Sequence, residues 1–176
     1  AVAGLAEAPP GKVAKAVAGA GQLGLPADEA LLEALERAAA AGRLREAAPR
    51  ELAQLLYGLG LLKASPGEAF WGPAEDALGA RLGEFNAIDL SQLLYGYAAL
   101  EQPAPVALLR DLEAAVGAQA PGMKPQGLST VLWAWATLGY QPGDAALEAV
   151  REAATRSIHS FKHQDLPHLA WAHAKL

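Results

Sequence analysis

The sequence predicts an all-α fold, an α-solenoid (superhelix) of antiparallel helical hairpins with a 38-residue repeat. Three observations predict it. The chain is rich in Ala, Leu and Glu, which lose little on entering a helix, and it lacks the alternating Val, Ile, Thr and aromatic runs that mark strands. Breakers at Pro26, Pro49, Pro66, Pro103, Pro105, Pro121, Pro125 and Pro142 divide it into segments of helical length. Within these, apolar residues recur every three or four positions. Finally, four segments superpose without a gap: Glu51 to Leu62, Asp89 to Leu100, Gly127 to Leu138 and Asp165 to Leu176.

The elements follow in order. Residues 1–25 read as a degenerate half repeat, with Val13 to Leu23 one residue out of step with the later copies. Pro26-Ala27-Asp28-Glu29 opens a helix within 27–43, and Glu51 to Leu62 is its partner, completing the unit 26–63. Pro66-Gly67-Glu68 opens the next unit, 64–101, and the segment 105–119 supplies the first helix of 102–139. Pro142-Gly143-Asp144 opens the last, 140–176. Proline in a first turn forfeits an amide that has no partner there, and the acids beside it meet the positive end of the helix dipole. The whole chain, 1–176, reads as a single domain of about four and a half repeats.

The columns of the repeat carry its packing. Leu52, Leu90, Leu128 and Leu166 form one; Leu55, Leu93, Val131 and Leu169 a second; Leu62, Leu100, Leu138 and Leu176 a third. Upstream, Phe85, Met123 and Phe161 keep the same register. An aromatic column, Tyr57, Tyr95, Trp133 and Trp171, reads as core filling the next groove. Trp135, in a column with Leu59, Tyr97 and His173, also reads as core, while Trp71 has no assigned role. Small residues, Gly58, Gly96, Ala134 and Ala172, let a neighbouring helix approach. One repeat cannot bury such a face alone, so copies must stack on either side.

Composition excludes several functions. The chain has 176 residues, 52% hydrophobic, and no cysteine, which removes disulfides, thiolate zinc sites and cysteine nucleophiles. No apolar run approaches the ~20 residues of a membrane span. Ala1 in place of Met reads as a processed chain or a fragment of a longer protein.

A helix preceded by Phe and Gln-Asp-Leu, carrying a Leu-Trp-Ala-x-Ala-x-Leu core, resembles the octotricopeptide repeat, a helical-pair repeat of 38 residues. Phe161, Gln164, Asp165, Leu166, Leu169, Trp171, Ala172, Ala174, Lys175 and Leu176 match one copy, and Val131 to Gly139 another. The resemblance covers nearly the whole chain and is weakest over 1–26. It implies an RNA-binding protein of a mitochondrion or chloroplast, whose repeats each address about one nucleotide of RNA. Such proteins act on transcript maturation, stability, splicing or translation, and some hold rRNA in mitochondrial ribosomes. The partners implied are therefore rRNA or organellar mRNA. The sequence departs from the pattern in places. Gly58 and Gly96 stand where alanine is usual, which is expected to loosen two helices by roughly 1 kcal/mol each. Ile88 and Gly127 break the Gln-Asp pair in two copies. Exposed apolar ends are expected, to be capped by further repeats or neighbouring proteins.

The net charge of −5 is unevenly spread. The four less regular segments sum to −9, the four regular ones to +3, and residues 1–25 to +1. The acids read as a solvated outer layer, which leaves the regular helices free to face a phosphate backbone. Arg43, Arg45, Arg50, Lys124, Arg156, Lys162 and Lys175 are the candidate phosphate contacts. Base-facing candidates form the polar column Gln54, Gln92, Thr130 and His168, whose side chains suit either base edges or packing between helices.

Other motifs dissolve on inspection. Gly19-Ala20-Gly21-Gln22-Leu23-Gly24 spells a dinucleotide-binding pattern, but a helix precedes it where a strand is required. His159, His163, His168 and His173 cluster in the last repeat, yet His168 and His173 face different ways on a helix. No metal, cofactor, catalytic residue or membrane partner is assigned. The expected function is RNA binding. The alternative is a protein–protein scaffold without RNA contact, which the acidic balance favours.

Overall fold

The computed structural model describes residues 7–163 and 165–176, apart from the side chain of His168. Among the described residues it holds nine α-helices and no strand. They are α1 (Pro10–Gln22), α2 (Glu29–Ala40), α3 (Pro49–Leu62), α4 (Glu68–Gly79), α5 (Ala87–Ala99), α6 (Val106–Gln119), α7 (Pro125–Leu138), α8 (Asp144–Arg156) and α9 (Asp165–Lys175). Short 3-10 turns at Arg43–Arg45, Leu82–Glu84, Ala120–Gly122 and Ile158–Ser160 lead into α3, α5, α7 and α9.

Local chemistry fixes the helix ends. Pro10, Pro49 and Pro125 begin α1, α3 and α7. The Asp28 carboxylate accepts the Leu31 amide at 2.8 Å and starts α2. The acid of the recurring Glu-Leu or Asp-Leu pair is a cap as well. Glu51 accepts the Ala48 amide at 2.9 Å, Asp89 that of Asn86 at 3.2 Å, and Asp165 that of Lys162 at 3.1 Å. In α7 the equivalent position is Gly127, and no side chain caps the helix. Lys63 (φ 51°) and Gly139 (φ 64°) close α3 and α7 in the left-handed region.

Packing follows two parallel series. α1 lies against α3, α3 against α5, α5 against α7, and α7 against α9. On the other side α2 lies against α4 and α6 against α8, with a lighter contact between α4 and α6. This is the helix–helix packing that a helical repeat makes. The core lies between the series. Leu52, Leu90 and Leu128 are buried, as are Leu55, Leu93 and Val131. Each such leucine contributes about 1.5–3 kcal/mol. Tyr97 and Trp135 are fully buried, so the core reading of Trp135 holds. Trp71 is a core residue too. Its indole NH donates to the Pro66 carbonyl at 3.1 Å, and its ring meets Phe70 edge-on at 5.3 Å.

Acids of the even series tie neighbours together. Glu36 of α2 accepts the Gly67 amide at 2.6 Å, just ahead of α4. Glu113 of α6 accepts the Gly143 amide at 3.0 Å, just ahead of α8, and the Tyr140 hydroxyl as well. The Tyr140 hydroxyl is pushed up to about 12, by burial first and then by its bond to Glu113.

Two expectations need correction. Gly58 and Gly96 are the close-approach points the small column predicts, and they are not loose ones. A Cβ at Gly58 would lie 2.6 Å from the Ala18 nitrogen of α1, and one at Gly96 would lie 2.6 Å from the Leu56 carbonyl oxygen of α3. Backbone meets backbone there, and only glycine fits. The aromatic column is core only in part: Trp133 packs against the apolar cluster without being enclosed by it. Tyr57, Tyr95 and Trp133 are half-buried, and Trp171 is 44% exposed.

Candidate functional site

A helix packed on one side leaves a stripe at i, i+4, i+7 and i+11 on the other. In the middle three odd helices that stripe reads Arg50, Gln54, Tyr57, Leu61 on α3, then Ile88, Gln92, Tyr95, Ala99 on α5, then Gln126, Thr130, Trp133, Thr137 on α7. All are half-buried or exposed, and none is acidic. The polar column thus lies on the open side of the odd series, one residue per helix, with an aromatic three positions on.

The aromatics form a row. Tyr57 and Tyr95 have ring centroids 5.0 Å apart at 51°, and Tyr95 and Trp133 are 5.6 Å apart at 33°. Trp133 packs against the apolar core, and all three rings are half-buried, so part of each stays open to solvent. Burial, and then the neighbouring Tyr57, hold the Tyr95 hydroxyl above the usual tyrosine range.

Two hollows flank this row and share Tyr95, Gln126 and Thr130. The first, of about 490 Å³, runs between α5 and α7 and is also lined by Tyr57, Gln92 and Lys124. The second, of about 500 Å³, is also lined by Lys63, Trp133 and Thr137 and by the acids Glu101 and Asp165. The Thr130 hydroxyl donates to the Gln126 carbonyl at 2.8 Å, which leaves its lone pairs as acceptors.

The structure brings together Gln92, Thr130 and Lys124 in one hollow. Gln54 holds the equivalent position on α3, and Arg50 is exposed on the same stripe. The remaining basic candidates lie elsewhere. Arg43 donates to the Glu7 carbonyl at 3.1 Å. Arg45 pairs with Asp76 of α4 at 3.5 Å, and Arg156 with Glu152 of α8 at 3.4 Å, so both face the acidic series. Lys162 and Lys175 are exposed at the two ends of α9. Gln164 and the His168 side chain lie outside the described residues.

Sequence reasoning missed Tyr57, Tyr95, Gln126 and Lys63. The signal was present: each aromatic lies three residues after a member of the polar column, hence on the same helix face. The acids, by contrast, concentrate on the even helices. Glu33, Glu68, Asp76, Asp111, Asp144, Glu148 and Glu152 are exposed there, and Arg37 and Arg156 offset two of them by pairs four residues apart. Among the described residues no three His, Asp or Glu side chains converge to hold a metal ion, and no helix is long and apolar enough to cross a membrane.

A scan against protein-family models and a search of curated proteins find no match for this chain.

Proposed function

We propose that this chain is an RNA-binding protein, an α-solenoid of 38-residue octotricopeptide-type repeats, with RNA lying along the open stripe of its odd helices. The repeat reading draws support from helix starts at Pro49, Ala87 and Pro125, and at Glu68, Val106 and Asp144. The observation that carries the function is the acid-free row of aromatic and polar side chains on α3, α5 and α7. Aromatic faces, amides and a few cations in a line are what single-stranded RNA needs, because bases stack and phosphates want a positive groove. The acids on the even series lie away from that stripe and repel the backbone least there. Following the resemblance, we place the protein in a mitochondrion or chloroplast, either in a ribosome holding rRNA or acting on transcripts. We read it as a binding protein rather than an enzyme.

A titration against single-stranded RNA over a range of salt tests this. With Arg50 on the stripe and Lys63 and Lys124 lining the hollows beside it, two or three phosphates are neutralised, and the log–log slope is about −1.4 to −2. The net charge of −5 favours a protein-binding scaffold instead, and a slope near zero with every RNA supports that reading.

A further inference from the structure

Among the described residues no helix covers the outer face of α8 and α9, and a groove of about 810 Å³ runs between them. Its walls are partly apolar. Ile158 and Leu166 line it and are 41% and 38% exposed, whereas Ala120 and Leu128, their equivalents 38 residues earlier, are fully buried. Apolar side chains gathered in an open groove mark a contact surface. The rest of the groove is charged, and it does not repeat the face on which an even helix docks. Where α6 meets α8, Gly117 allows a close approach, a Cβ there standing 3.4 Å from Ala146, and Glu113 accepts the Gly143 amide at 3.0 Å. The same positions on α8 hold Thr155, which adds bulk, and Arg151, whose guanidinium can only donate.

Two charges in this groove lack partners. The Nε of Arg151 is buried with no hydrogen-bond acceptor, and Arg151 forms no ion pair among the described residues. Glu148, one turn earlier and exposed on the same groove, forms none either. The other pair of charges is already satisfied, since Arg156 meets Glu152 at 3.4 Å. The groove therefore asks for a carboxylate opposite Arg151, a cation opposite Glu148 and apolar side chains beside them. It carries all three itself. We infer that two copies of this chain dock through this face, α8 and α9 of one against α8 and α9 of the other across a two-fold axis. Such an axis repeats each contact in reverse, so Glu148 of one copy meets Arg151 of the other twice, and Ile158 and Leu166 are covered between them. This interface leaves the open stripe of α3, α5 and α7 clear, so the inference stands apart from the RNA-binding reading.

The test is sedimentation equilibrium, without RNA, of the parent chain, of Glu148→Arg, of Arg151→Glu and of an equimolar mixture of the two variants. The parent is expected to sediment at twice the chain mass. Each variant alone sets like charges against each other at both copies of the contact and should dimerise about tenfold or more weakly. The mixture should regain the parent's dimer, because each variant supplies the charge the other lacks, and an unfolded variant could not do so. If circular dichroism shows that a reversal has unfolded the chain, Glu148→Gln and Arg151→Gln replace the reversals, and each should weaken the dimer. A single-chain mass at every concentration overturns the inference. So does a dimer as tight as the parent's in the variants, or a mixture of folded variants that stays monomeric. Assemblies that keep growing with concentration overturn the two-fold arrangement in favour of head-to-tail stacking.

Discussion

Gly58→Ala and Gly19→Ala occupy the same position on neighbouring helices, α3 and α1, yet they should move stability in opposite directions. Both replace glycine inside a helix, which by itself gains about 0.5–1 kcal/mol. At Gly19 nothing lies within 4 Å of the new Cβ, so the gain is realised. At Gly58 the Cβ would stand 2.6 Å from the Ala18 nitrogen, 2.7 Å from the Ala18 Cα and 2.8 Å from the Val17 carbonyl carbon, where ordinary contact begins at 3.4 Å. These are backbone atoms, so no rotamer relieves the clash and α1 must move off α3. Overpacking of this kind costs about 1–3 kcal/mol, which outweighs the helical gain and leaves a net loss of about 1–2 kcal/mol. In a chain of this size 1 kcal/mol shifts the midpoint by about 2–4 °C. Thermal unfolding followed by circular dichroism should therefore place Gly19→Ala about 1–4 °C above the parent and Gly58→Ala about 2–8 °C below it. Gly96→Ala, against the Leu56 carbonyl at 2.6 Å, should follow Gly58→Ala. If Gly58→Ala and Gly19→Ala both stabilise, the odd helices do not touch backbone to backbone and the packing described for them is wrong.

Two further predictions concern helix ends and burial. Gly127→Asp restores to α7 the cap that α3, α5 and α9 carry, and its Cβ meets only the Ser91 side chain at 3.8 Å. It should raise stability by about 1 kcal/mol, measured as a higher urea midpoint, and a lower midpoint contradicts the capping role of that column. Burial first, and then Asp76, raise the Glu75 pKa above its ordinary value. The folded state thus holds that proton more readily than the unfolded one, and stability is lost as pH rises from the unfolded carboxylate range through the raised value. Glu75→Gln should unfold later than the parent at pH 7, with the gap narrowing by pH 4, and a gap that widens toward acid refutes the assignment.

Much of the helical character could be read in the sequence, because prolines, caps and apolar spacing act locally. Asp28, Pro49 and Pro125 mark helix starts whatever the tertiary context. The burial of Leu52, Leu90 and Leu128 follows from periodicity. What local pattern could not supply was distance between helices. Gly58 reads both as a weak helix former and as a place of close approach, and only the Ala18 backbone set against it decides which effect dominates. Tyr57, Tyr95 and Trp133 sit at the margin of the apolar face, where a shift of a few tens of degrees separates core from surface. Sequence gives the helix face to that accuracy and no better. The polar column was legible as a repeat, but its hollow was not, since Lys124 lies ahead of α7 and Lys63 after α3, both off the helical pattern.

The most direct test of the account is photocrosslinking of a bound single-stranded RNA, with the attachment sites mapped by peptide mass spectrometry. Crosslinks should fall on the α3, α5 and α7 stripe, with Tyr57, Tyr95 and Trp133 foremost. Crosslinks confined to the acidic helices α2, α4, α6 and α8, or none above background at low salt, would contradict it.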